Sequence, residues 1–166
     1  MSNVKLALPG SAAYTITLGA LATSSTLVAG RQSTAVDNTS NLYLDYLISG
    51  KVETGTSPTA GIIEVWAFAS VNDTPTYPDV LGGSDAAVTF TSRDILSSSM
   101  RLVASMPTSA TSNVNYWFAA TSLASLFGGF CPKLHGIVVL HNTANPLNAT
   151  NGNHVINYTP VYATVA

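Results

Sequence analysis

Apolar residues in this chain recur at every second position, a period that admits β-strands and little else. Residues 14–18 (Tyr-Thr-Ile-Thr-Leu) alternate and are closed by Gly19. Leu42, Leu44, Tyr46 and Ile48 form one face of a longer strand, with Asp45 and Ser49 on the other and Gly50 after it. Residues 62–69 are rich in β-branched and aromatic residues with Glu64 inserted, and read as buried on both faces apart from that acid. Residues 87–91, 101–106, 114–119, 134–141 and 155–165 bring the total to about eight strands, separated by Gly, Pro, Asn and Ser clusters. Helix signals are confined to residues 91–96 and 122–127, the second stopped by Gly128-Gly129, and neither stretch is long enough to cover a sheet. The expectation is an all-β, two-sheet antiparallel sandwich, for which the jelly roll is the common eight-stranded solution. An immunoglobulin-like sandwich is the rival, but its Cys-Trp-Cys framework is absent. Trp66, Phe68, Tyr116, Phe118, Ile137 and Val139 are expected in the core.

A chain of 166 residues suits one domain over 1–166, with a short N-terminal arm at 1–10. That length supports a core without a metal or disulfide staple, so no cofactor is expected. Charged residues make up only 8% of the chain, against about 25% in a typical soluble domain, with Ser, Thr and Asn in their place. The six Lys and Arg are scattered, so there is no cation cluster to bind nucleic acid. No apolar run is long enough to span a membrane. The opening Met-Ser-Asn-Val-Lys reaches Pro9-Gly10 without a signal-peptide stretch, and Cys131 stands alone, which points to synthesis in a cytoplasm. A formal charge of −2 offers little mutual repulsion between copies. The surface is either that of a neutral β protein or one normally covered by neighbours.

Three segments read as long loops, 22–41, 71–86 and 142–153, and long loops in compact domains tend to be functional. The first holds Arg31, whose fork suits a carboxylate on a partner or stays solvated. The second holds Tyr77 and Pro78, a rigid contact surface or a loop folded onto its own domain. Val4, Leu6 and Leu8 form one apolar face of the arm, placed along a neighbouring subunit or the chain's own sheet. The interface candidates are therefore Val4, Leu6, Leu8, Arg31, Tyr77 and Pro78. Catalytic readings fail on residue type or spacing. No G-x-S-x-G, H-E-x-x-H or phosphate-binding loop is present. His135 and His141 lie six apart on one strand, about 20 Å, too far to share a metal. Asp73, Asp79 and Asp85 lie on one loop but without calcium-loop spacing. The chain reads as a binding protein, not an enzyme.

The runs at 27–38 (Leu-Val-Ala-Gly-Arg-Gln-Ser-Thr-Ala-Val-Asp-Asn), 41–46, 63–66, 124–129 and 158–162 (Tyr-Thr-Pro-Val-Tyr) resemble small virion proteins of tailed bacteriophages. Within that group the chain is most similar to jelly-roll capsid cement or decoration proteins. The resemblance implies a homotrimer on the capsid exterior that clamps the major capsid protein. It carries over no site residues. The alternative is a tail or fibre component with a receptor- or carbohydrate-binding sandwich, in which Trp66 or Trp117 would stack on sugar rings. Both tryptophans lie in apolar strands and are read as core, so exposure of either would favour sugar binding.

Overall fold

The computed structural model describes residues 3–165; Met1, Ser2 and Ala166 of the expected arm and domain lie outside them. Eleven strands form two sheets, and every pairing between them is antiparallel. The first sheet runs β1 (Val4–Ala7), β11 (Val155–Val165), β5 (Asp45–Glu53), β9 (Asn115–Ser122), with β2 (Ala12–Ala13) also on β11. The second runs β7 (Ala86–Thr89), β3 (Ala29–Gln32), β10 (Leu134–His141), β6 (Gly61–Ala69), β8 (Arg101–Thr108), with β4 (Val36–Asp37) also on β10. The first and last strands of the chain are neighbours in one sheet. β3 and β10, the next pair inward, are neighbours in the other. This is the jelly-roll order of an all-β, two-sheet sandwich.

Alternation along each strand sorts residues between two cores. Ile63, Val65 and Ala67 of β6 and Ile137 and Val139 of β10 face the first sheet's Tyr46, Ile48, Val52 and Ile156. The intervening Trp66, Phe68, Val138 and Leu140 point the other way into a second cluster. Leu81 of the 71–86 loop and Leu96 and Met100 around α1 (Arg93–Ser99) close that cluster. A helix of under two turns therefore does help to cover a sheet, contrary to expectation, because the loop supplies the rest of the cover. Ser92 caps α1, accepting from the Ile95 amide.

The sequence reading departs from the structure at four other places. Residues 14–18 form no ladder, although Tyr14 and Leu18 are buried as the alternation required. The amides of Tyr14, Thr17 and Leu18 donate instead to Ile156 O, Asp85 Oδ1 and Asn151 Oδ1. Residues 22–41 are not one loop, because β3 and β4 lie within them. At Gly30, a Cβ would meet the Val139 carbonyl oxygen, so the residue that weakened the strand signal is the one β10 requires. Gly50 lies inside β5, where β11 passes equally close. Finally, Tyr116 and Phe118 are half-buried, because β9 is an edge strand with no neighbour on one side to complete their cover.

Candidate interaction surface

The two sheets differ in what lies on their outer faces. The second is covered by the 71–86 loop and α1, and the first carries no such layer. On β11, Ile156, Tyr158 and Pro160 face inward, so Val161, Ala163 and Val165 face outward. β1 pairs Val4 with Val165 and Leu6 with Ala163, which places Val4 and Leu6 on the same outer face. β5 pairs with β11 only as far as Val161. Beyond it, β1 and the end of β11 continue as a two-stranded ribbon, a unit that is marginal by itself in water.

Next to the ribbon lies a trough of about 470 Å³ lined by Leu42, Tyr43, Leu44 and Phe130, with Lys133 at its margin. Leu44 donates its amide to Val161 O, and the rings of Tyr43 and Tyr162 lie 6.0 Å apart, so ribbon and trough adjoin. Leu42 holds a left-handed φ of 51°, uncommon for a branched residue, and Leu42 and Leu44 are exposed. Gly128 and Gly129, at φ 77° and 94°, end α2 (Leu123–Leu126) and deliver Phe130 to solvent at 82% exposure. Most of the large exposed apolar side chains of the described residues thus gather at one end of the sandwich.

No family model, curated protein or solved structure gives a significant match to this chain.

The residues singled out in the sequence take separate places. Val4, Leu6 and Leu8 are exposed, on or beside the ribbon, along the chain's own sheet. Arg31 is not in a loop but in β3, where its Nε bonds Asp85 of the same chain. Burial opposes ionisation of Asp85, but Arg31 and the Thr17 hydroxyl and amide outweigh it and hold the carboxyl below its ordinary range. Tyr77 packs edge-on against Phe68, with ring centroids 5.4 Å apart, and Pro78 beside it is half-buried, so this loop folds onto its own domain. Trp66 is buried as expected. Trp117 is not: it stands on the open face at 70% exposure. Leu42, Leu44 and Phe130 were missed. The first two fit the alternation of a strand that starts only at Asp45, whereas an aromatic directly after Gly-Gly was a readable signal for the third.

The groups that bear chemistry are engaged in holding the fold. His135 is fully buried, its Nδ1 3.1 Å from the Tyr14 hydroxyl, and burial pushes its pKa down to about 3. His141 donates from Nε2 to Leu21 O and accepts at Nδ1 from the Thr143 hydroxyl. His154 accepts from the Glu53 amide and donates to Asn148 O. Among the described residues none of the three hydrogen-bonds a carboxylate. Burial, with Asp45 nearby, pushes the Cys131 thiol up to about 12, which disfavours the thiolate a nucleophile needs. Asp73 pairs with Lys133, Asp79 accepts from Thr91, and Asp85 holds Arg31. The three loop acids therefore do not converge, and among the described residues no group of three His, Cys, Asp or Glu could hold a metal. Chelation with EDTA is expected to leave the melting temperature within about 1 °C of its untreated value; a sharp drop would show a bound ion.

Proposed function

We propose that this protein is a structural component of a phage particle, a cement protein that binds the major capsid protein and further copies of itself and resists rupture of the shell. The observation that carries the reading is the apolar end. Ribbon and trough together expose Val4, Leu6, Leu8, Leu42, Leu44, Phe130 and Val165, most of the large apolar side chains that reach solvent among the described residues, and apolar side chains gathered in this way mark interaction surfaces. Val4 and Leu6 lie on the outer side of the sheet, while Tyr162 lies on the inner side with Ile156. Two surfaces of different orientation match two partners, a second subunit of a homotrimer and the shell. Repetition over a symmetric shell makes individually weak contacts durable through effective concentration.

Substituting Leu6→Asp together with Phe130→Ser is expected to weaken attachment to shells at least tenfold. The same change should shift the unfolding free energy of the free protein by no more than about 0.5 kcal/mol, since both side chains are exposed. Co-sedimentation with shells and urea denaturation measure the two effects. Attachment is expected to vary little with salt, because the contact is apolar. The deciding comparison is heat or osmotic rupture of particles with and without the protein. Equal thresholds combined with lost host attachment would reject cementing in favour of receptor binding.

A further inference from the structure

We propose that the open face of the first sheet carries a binding site for an acidic sugar residue, built around Trp117 and Lys51. The site is independent of the shell-binding reading. Asn157, its residue on β11 nearest the ribbon, is eight positions from Val165, roughly 26 Å along the strand from the tip of the ribbon.

Trp117 and Lys51 are directly paired across β9 and β5, and Lys51 pairs in turn with Val155 on β11, so one row crosses three strands of a rigid sheet. The Lys51 ammonium lies 5.4 Å from the centroid of the Trp117 ring. Ser49 and Asn157 pair in the adjacent row on the same face. Together with Gly50 these residues line a shallow, open depression of about 260 Å³.

Three features set this place apart. An indole at 70% exposure, held on a strand, is a preorganised apolar platform for the C–H face of a sugar. Lys51 makes no ion pair among the described residues, unlike Arg31, Arg93 and Lys133. Elsewhere in the chain asparagine amides are tied to backbone, as at Asn38, Asn142 and Asn148. The side chains of Ser49 and Asn157 make no hydrogen bond to another described residue, which leaves them for ligand hydroxyls. A ring for stacking, a cation beside it and two neutral hydrogen-bonding groups are the set that a uronate-type sugar requires.

The test is titration of the whole protein with an oligogalacturonate and with a neutral galacto-oligosaccharide of equal length, read by tryptophan fluorescence and calorimetry. Trp66 is buried on the other sheet, so a saturable change in emission reports Trp117. The acidic ligand is expected to bind about threefold more tightly than the neutral one at low salt. Lys51→Met should equalise the two, and Trp117→Ala should abolish both, with Trp117→Phe retaining part of the binding. Absence of saturable binding by either sugar up to about 10 mM, well past the range of weak specific sites, would overturn the proposal. Equal affinity for the two sugars, or unchanged binding by Trp117→Ala, would overturn it as well. Shell attachment by Trp117→Ala separates this site from the apolar end, since loss of sugar binding there should leave attachment intact.

Discussion

Replacing Arg93 by methionine is expected to lower the unfolding free energy by about 2–3 kcal/mol, one of the largest effects of any exchange of a partly exposed side chain in this protein. The reason lies in Glu64, a carboxylate buried on the outer side of β6. Arg93 meets it with two contacts, at 2.6 and 2.7 Å, and also donates to Leu27 O. Glu64 in turn accepts from the Trp66 indole N–H at 2.8 Å, and the guanidinium carbon lies 5.1 Å from the Trp66 ring centroid. The group pins the start of α1 to the sheet that α1 covers. Removing the cation leaves a buried charge with only a neutral donor, and the cost of that charge exceeds the worth of the pair. Glu64→Gln in the Arg93→Met background retains an acceptor for Trp66 without the charge, and should recover at least half of the loss. Urea denaturation of both variants checks this. Equal losses in the single and double variants would place the cost in lost packing of the arginine stem.

Stability is also expected to fall steeply in mild acid, by about 3 kcal/mol between pH 6.5 and pH 4 from His135 alone. In the unfolded chain this imidazole binds a proton near pH 6.5, whereas in the folded chain burial delays binding until about pH 3. Between those values the unfolded state holds more protons, so lowering the pH favours unfolding. The contribution is fully present above pH 6.5 and lost as the pH falls toward 3. His141 and His154, also shifted down by burial, act in the same direction. Asp85 belongs to a lower window, since its pKa is depressed below the ordinary carboxylate value and its contribution is lost only in stronger acid. The Nε2 of His135 has no partner among the described residues, so a proton there gains no acceptor in return. His135→Leu removes the Tyr14 contact and lowers stability at pH 7. Its diagnostic is a flatter slope of unfolding free energy between pH 6.5 and 4, by about one proton, in denaturant titrations at stepped pH. An unchanged slope would mean that the folded and unfolded chains bind a proton at this imidazole alike, so that burial does not depress its pKa.

Much of the fold was legible because strand periodicity is a property of the backbone itself. Residues 134–141 and 155–165 were readable to the residue, including Pro160 within the last strand, and the apolar run at 62–69 indicated a strand buried on both sides, although Glu64, read as the exception, is buried too. β3 was not legible, because Gly30 and Arg31 have little strand signal of their own. Gly30 is needed for the close approach of Val139, and Arg31 is fixed by Asp85, 54 residues away.

For the candidate surface, local pattern specified which residues share a face but not what lies above that face. Trp66 and Trp117 sit in similar apolar runs and were read alike. One is covered by α1 and the 71–86 loop, and the other looks out from an uncovered edge strand. Leu42 and Leu44 keep the alternation of Tyr46 and Ile48, yet β11 has no sheet partner for them beyond Val161. The sequence by itself determined that the chain forms two facing antiparallel sheets with scant charge, since period and composition act residue by residue. Only the tertiary structure decided which sheet is covered, where the ribbon leaves the sandwich and which tryptophan meets solvent, because each depends on contacts between segments far apart in the chain.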